Sequence, residues 1–149
     1  RGRFALIKHH KKDVTFGSLY FPSMNTDNMN ARKLYLIELE DLLLQIKQSG
    51  RQVVIGGDIN CISESHSPMF ESFKDEGFPF HNLMRKYQLV SLAEIFDCKW
   101  TWTNGLICQA LDDIFISTSL LDKAYKFSVD QSTVKNKLSD HASIDLRIE

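Results

Sequence analysis

The sequence predicts an α/β domain, and three observations carry that reading. Val53-Val54-Ile55 is a run of β-branched residues, which suits a strand covered on both faces. Residues 30–49 before it repeat apolar side chains at helical spacing, and a strand pattern precedes those in turn. The buried strand then runs into a polar corner, Gly56-Gly57-Asp58-Ile59-Asn60. A strand, a helix and a strand ending in a polar loop is α/β order, with the site expected at a strand's carboxyl end.

Composition bounds the possibilities. The 149 residues suffice for one domain or part of one, and 43% apolar residues suffice for a core. A formal net charge of −1 provides no overall attraction for nucleic acid. The three cysteines (Cys61, Cys98, Cys108) form no CxxC pair, so neither a disulfide framework nor a zinc motif is expected. Free thiols favour a reducing, intracellular setting. No apolar run approaches the roughly 20 residues that a membrane span needs, and no signal peptide, repeat or linker is visible. The sequence begins at Arg1-Gly2-Arg3, already entering a strand pattern, and reads as a fragment of a longer chain.

Taken in order, residues 3–9 and 14–21 form a predicted hairpin around the polar turn Lys11-Lys12-Asp13, and Pro22 ends the second strand because it cannot donate to a ladder. Residues 23–30 read as a loop. The helix over 30–49 has Asn30 as its expected N-cap and Gly50 as its stop. Its broad apolar face runs through Leu34, Leu36, Ile37, Leu39, Leu42, Leu43, Leu44 and Ile46. After the Val53–Ile55 strand, Gly56 and Gly57 permit a sharp turn or a close backbone approach. Residues 61–68 read as a polar loop, and 69–76 and 80–87 as two helical stretches. Lys99-Trp100-Thr101-Trp102-Thr103 alternates like a strand and ends on the turn signal Asn104-Gly105. Residues 111–117 read as a buried strand, 118–122 as a helical turn, 124–129 as a weaker strand, 135–138 as a loop and 142–148 as the last strand.

Several polar residues do not fit a plain core. Asp58 and Asn60 stand two apart, so in an extended segment they point the same way; a plain Asp/Asn turn explains them equally well. Asp112 and Asp113 interrupt an apolar strand, where a charge is costly unless paired; for Asp113 a solvent-facing edge position is expected. Asp140-His141 precedes the last strand, and Tyr20 ends an early one. Together they supply carboxylates (Asp58, Asp112, Asp140), an amide (Asn60), an imidazole (His141) and a phenol (Tyr20). Hard oxygen ligands suit Mg²⁺ or Mn²⁺. A histidine oriented by a carboxylate suits stabilising a phosphoryl oxygen or moving a proton. This is the inventory of metal-assisted phosphoester hydrolysis.

In order, Leu19-Tyr20-Phe21-Pro22, Gly57-Asp58-Ile59-Asn60, Leu111-Asp112-Asp113-Ile114-Phe115-Ile116-Ser117 and Ser139-Asp140-His141 resemble the motif series of the endonuclease/exonuclease/phosphatase superfamily. Gly2-Arg3-Phe4 opening the first hairpin, and Trp100-Thr101-Trp102-Thr103-Asn104-Gly105 shortly before Asp112, resemble the apurinic-type endonuclease domain of non-LTR (LINE-like) retrotransposons. The resemblance implies a DNase I-like four-layer α/β sandwich, with two packed mixed sheets and a site at their shared edge. Asp58 would orient or deprotonate the attacking water, and Asn60 would hold water and phosphate. Tyr20 would contact the scissile phosphate. Asp140, with Asp58, would bind the metal. His141 would bind or protonate a phosphate oxygen, with Asp112 fixing its ring. Asn60, Trp102 and Asn104 would meet the substrate.

The implied function is a Mg²⁺-dependent (or Mn²⁺-dependent) DNA endonuclease of a retroelement, nuclear in that case. The implied partners are DNA and a reverse transcriptase domain C-terminal to it in the parent chain, with no membrane. Lys8, Lys11, Lys12, Lys99 and Lys135 are candidates for lining the site against a phosphate backbone. The pattern also has departures. The family's Asn and metal-binding Glu from the first strands have no counterpart. Ser18 stands in place of an Asn, Gln109-Ala110 in place of Ser-Arg, and Asp113 where an aromatic or basic residue is common. The chain is therefore expected to be the C-terminal two-thirds of the domain and, by itself, inactive or nearly so. The same motifs also admit a phosphatase acting on lipid or inositol phosphates, an enzyme acting on an RNA 3′ end, or a non-catalytic remnant.

Overall fold

A computed structural model describes residues 3–9, 11–23, 26–61, 74–98 and 100–149. Its centre is a five-stranded mixed sheet in the order β1-β2-β3-β7-β4. These strands are β1 (Arg3–Lys8), β2 (Val14–Tyr20), β3 (Gln52–Asp58), β4 (Leu89–Ser91) and β7 (Asp112–Ser117). β1 and β2 form the expected antiparallel hairpin, while β2 and β3 run parallel because α1 (Met29–Gln48) connects them. β7 lies antiparallel between β3 and β4. Two short ribbons complete the strands: β5 (Trp102–Thr103) with β6 (Cys108–Gln109), and β8 (Ala124–Asp130) with β9 (Ser143–Ile148).

The period-2 alternation of β3 decides what packs on each face. Val53 and Ile55 point to α1 and α2 (Lys74–Lys86), into a core with Tyr35, Leu39, Leu43, Ile46, Phe80, Met84 and Phe115. Phe21, Phe80 and Phe115 meet there tilted or edge-on, with ring centroids 5.1 and 5.7 Å apart, a geometry aromatic quadrupoles favour. Val54 points the other way, with Val14 and Ile116, toward Phe127, Leu146 and Ile148 of the β8–β9 ribbon. Among the described residues, helices, central mixed sheet and the antiparallel β8–β9 ribbon are thus stacked in the order of an α/β sandwich.

Several expectations need correction. α1 buries only the stripe Arg32, Tyr35, Leu39, Leu43 and Ile46. Leu34, Ile37 and Leu44 are exposed, because a helix lying on a sheet covers one narrow stripe and not a broad face. The residue before the helix is Asn28, not Asn30, and its side chain bonds back to Ser23 at 3.1 Å and does not cap the helix. Gly50 does stop it, at φ +69°. The two helical stretches expected at 69–76 and 80–87 are represented by one helix through Pro79; residues 69–73 lie outside the described residues. Pro79 forfeits one backbone bond, and burial of Phe80, Leu83 and Met84 outweighs that loss. The chain also forms a short helix α4 (Ser132–Lys135) and the strand β6, neither expected. The polar loop at 61–68 falls outside the described residues after Cys61.

Asp113 does not face solvent; it is buried, at 7% exposure. Its carboxylate accepts the Ser91 hydroxyl, Ala93 N–H (2.9 Å) and Ile114 N–H (2.7 Å), and so closes the start of α3 (Leu92–Ile95). Burial pushes its pKa up to about 7 against these bonds. The folded chain therefore holds this proton more tightly than the unfolded chain, whose value is near 4. Its contribution to stability is present below about pH 4 and is lost as pH rises toward about 7. Asp113→Asn is expected to flatten that slope by on the order of 4 kcal/mol across about pH 4 to 8, measured by urea unfolding at both ends. An unchanged slope rules the assignment out.

Candidate active site

Three neighbouring strands deliver the first residues. In the parallel ladder Tyr20 pairs with Asp58, and in the antiparallel ladder Asp58 pairs with Asp112. Tyr20, Asp58 and Asp112 therefore stand side by side at one end of β2, β3 and β7. Gly56 and Gly57 make this possible by close approach, not by a turn, since the strand continues through both. A Cβ on Gly57 would lie 2.0 Å from Leu19 O, and one on Gly56 would lie 2.8 Å from Asp113 O.

Asn60 folds back onto this edge. It takes φ +46°, so Asp58 and Asn60 do not share one extended segment. Instead Asn60 N–H donates to Asp58 Oδ1 at 3.0 Å, an Asp/Asn turn, and its amide Nδ2 donates to Phe21 O at 2.9 Å. The turn reading and the site reading are thus both met, because the turn orients the carboxylate. Burial, and then the charge of Asp112, raise the Asp58 pKa above the ordinary carboxylate value.

His141 arrives from the opposite direction. Its Nδ1 lies 2.8 Å from Asp112 Oδ2, and the ring remains partly exposed. Asp112 thereby holds the proton on Nδ1 and directs Nε2 away from itself. Burial works against charge on the ring, but the hydrogen bond and charge of Asp112, with Asp58 and Asp140 behind it, raise the His141 pKa. Asp140 is exposed and tied to the β5 ribbon: Trp102 Nε1 donates to its Oδ2 at 3.0 Å and Thr103 N–H to its carbonyl at 3.0 Å. The Trp102 bond keeps the Asp140 carboxyl below its ordinary pKa.

The other expected residues fall variously. Trp102 pairs with His141 in a single isolated antiparallel β-bridge and donates its indole N–H to Asp140. Asn104 sits at the exposed hairpin tip, where Oδ1 accepts from Leu106 and Ile107 N–H. Lys8, Lys11 and Lys12 do not line the site: the β1–β2 turn lies at the far end of the sheet, because Lys8 pairs with Thr15 while Tyr20 marks the site end. Lys135 sits on α4, whose Thr133 hydroxyl donates to His141 O at 2.8 Å; Lys99 lies outside the described residues. A groove of about 320 Å³ reaches Asp112 past Gly56, Gly57, Ile114 and Ile144. A wider cavity of about 540 Å³ at the far end, lined by Lys12, Gln52, Leu120 and Lys123, meets none of Tyr20, Asp58, Asn60, Asp112, Asp140 and His141.

Thr101 was not foreseen. It is fully buried, and its hydroxyl accepts both Leu111 N–H (3.0 Å) and Asp112 N–H (2.9 Å), while its carbonyl accepts Ala142 N–H at 2.6 Å. One residue thus ties the start of β7 to the chain beside His141. The available signal was a Thr alternating between two tryptophans. Thr101→Val keeps the shape and removes the acceptor. It should cost about 2 kcal/mol in urea unfolding, since one buried and one half-buried donor lose their partner; a cost under about 0.5 kcal/mol rules this out.

Among the described residues no three His, Cys, Asp or Glu side chains cluster to hold a metal. The donors present, the carboxylates of Asp58 and Asp140 and the amide of Asn60, do not make a closed cage. They suit an ion such as Mg²⁺ that keeps most of its shell as water and phosphate oxygen.

Comparison with known proteins decides the family. The family described as endonuclease-reverse transcriptase matches residues 14–145. The chain belongs to that family. No curated protein matches it. Solved structures share the fold of this endonuclease-reverse transcriptase chain at 16% identity. A 3′ phosphatase from Neisseria, bound to a product DNA hairpin, superposes with a TM-score of 0.75 over 92% of this chain and 62% of its own. A 3′-5′ exonuclease from Neisseria meningitidis gives 0.72 over 99% and 70%, and an AP endonuclease from Archaeoglobus fulgidus 0.76 over 99% and 65%. The chain thus spans less than two-thirds of two of these three proteins. These neighbours are the DNase I-like fold that the motif series implied. No helix among the described residues is long and apolar enough to cross a membrane.

Proposed function

We propose that the protein carrying this chain hydrolyses phosphodiester bonds in DNA as an endonuclease. The observation that carries this reading is the Asp112–His141 pair at 2.8 Å, beside Asp58 and Tyr20 on adjacent strand ends. Asp58, oriented by the Asn60 N–H and with a raised pKa, takes a proton from the attacking water. His141 presents Nε2 to a phosphate oxygen and, when protonated, stabilises the charge that develops there. Tyr20 donates its hydroxyl to the same phosphate. Trp102 and Asn104 flank the site on the β5–β6 hairpin and meet the strands on either side of the scissile bond. Mg²⁺, held by Asp58 and Asp140 together with water and phosphate, would supply charge neutralisation at the phosphoryl oxygens. DNA as substrate is supported by the family's description and by the Neisseria relative's product hairpin. The family's description names a reverse transcriptase, which supports a reverse transcriptase domain in the same polypeptide; a retroelement origin and work in the nucleus are part of the same proposal.

Residues 1–149 alone are expected to turn over poorly, because two carboxylates, Asp58 and Asp140, would hold a hydrated divalent ion only weakly. The test therefore uses the intact protein, assayed on supercoiled plasmid, abasic duplex and inositol polyphosphates. Plasmid nicking that needs Mg²⁺ and stops with EDTA is the expected result. Phosphate release from inositol polyphosphates with the plasmid left intact overturns the reading in favour of a phosphatase.

A further inference from the structure

Arg32 belongs to the buried stripe of α1 yet carries a charge. It is 3% exposed and begins the series Arg32, Tyr35, Leu39, Leu43, Ile46, where an apolar residue would serve the core. Burying a guanidinium is costly unless its donors are used. Here Nη1 donates to Pro22 O at 2.6 Å, Nη2 donates to Cys61 Sγ at 3.2 Å, and the guanidinium lies 4.2 Å from the centre of the Phe21 ring. Pro22 stands two residues after Tyr20, and Cys61 one residue after Asn60. The same two segments bond to each other through Phe21 N–H to Asp58 O (2.8 Å) and Asn60 Nδ2 to Phe21 O.

We propose that Arg32 is a positioning residue of the hydrolytic site: it ties together the segments that follow β2 and β3, and so sets Tyr20 and Asn60 relative to Asp58. The proposal rests on the phosphodiesterase reading above. The fork geometry matters, because a planar guanidinium reaches two divergent acceptors while stacking on a ring, and an ammonium cannot. Cys61 is a soft neutral partner in this arrangement; burial keeps its thiol protonated, with a pKa raised to about 11.

The test compares wild type, Arg32→Lys, Arg32→Met, Asn60→Ala and Arg32→Lys/Asn60→Ala in the intact protein, with kcat and KM for Mg²⁺-dependent plasmid nicking and melting temperature by circular dichroism. His141→Ala serves as the control for the chemistry. Arg32→Lys is expected to fold, to lower kcat about 10- to 100-fold and to leave KM within about threefold. In the double variant, Asn60→Ala should cost much less than it does alone, because its position is already lost. Arg32→Met tests the same point without a charge, and where it fails to fold the lysine variant decides. An unchanged kcat in Arg32→Lys, a fall only in proportion to the unfolded fraction, or losses that multiply in the double variant each overturn the positioning role while the function reading stands. A wild-type protein that nicks no DNA, or a His141→Ala variant as active as wild type, overturns the function reading and this proposal with it.

Discussion

His141→Ala is expected to lower kcat on duplex DNA by about 10²- to 10³-fold, roughly 3–4 kcal/mol of transition-state stabilisation. The ring is partly exposed and contributes little apolar burial, so the unfolding free energy should change by no more than about 1–2 kcal/mol. The loss would then be chemical rather than structural. Asp112 acts through this ring, since its Oδ2 accepts the Nδ1 proton at 2.8 Å. Residues that act as one unit give non-additive losses. Asp112→Asn should therefore cost much by itself and little more once His141 is gone. Single-turnover kinetics on an intact duplex substrate would separate the chemical step from binding. An active His141→Ala variant, or losses that add across the pair, would remove His141 from the mechanism.

Gly57→Ala is the substitution with the largest expected effect on stability. Its backbone sits at φ +147°, a region that side chains rarely adopt, and the added Cβ would lie 2.0 Å from Leu19 O. That oxygen belongs to the backbone of β2, so no rotamer change relieves the clash; the two strands must separate. A cost of about 3 kcal/mol or more is expected from strain and lost ladder bonds together. Gly50→Ala is the matched comparison, because Gly50 also has positive φ but nothing within 4 Å of the added atom. It should cost only about 1 kcal/mol. Urea unfolding of the two variants decides the matter, and equal costs would show that close approach at Gly57 is not the constraint. Because Tyr20 and Asp58 are paired one step further along the ladder, Gly57→Ala should also lower kcat.

Much of the site was legible because it lies at strand ends. Tyr20 and Asp58 close apolar runs and Asp112 opens one, and pairing those runs brings the three residues together. His141 was legible as a type of residue in a recognisable order, while its bond to Asp112 crosses 29 residues and no spacing encodes it. The bond from the Trp102 ring N–H to Asp140 was not legible, because it depends on the β5–β6 ribbon folding against the chain entering β9. Asp113 was misplaced because a sequence shows that a charge interrupts an apolar strand, and not that Ser91 and the first turn of α3 wait there to bond it.

What the sequence alone determined was the alternation of strands and helix, the family motifs and the residue types of the site. These follow from local periodicity, turn chemistry and order along the chain, which one dimension contains. The tertiary structure alone decided which face of α1 was covered, why the paired glycines are needed, and which partners the buried Arg32, Thr101 and Asp113 bond. Each of those depends on what a distant segment places within about 3 Å, and hydrogen bonding and steric exclusion act at that range regardless of separation in sequence.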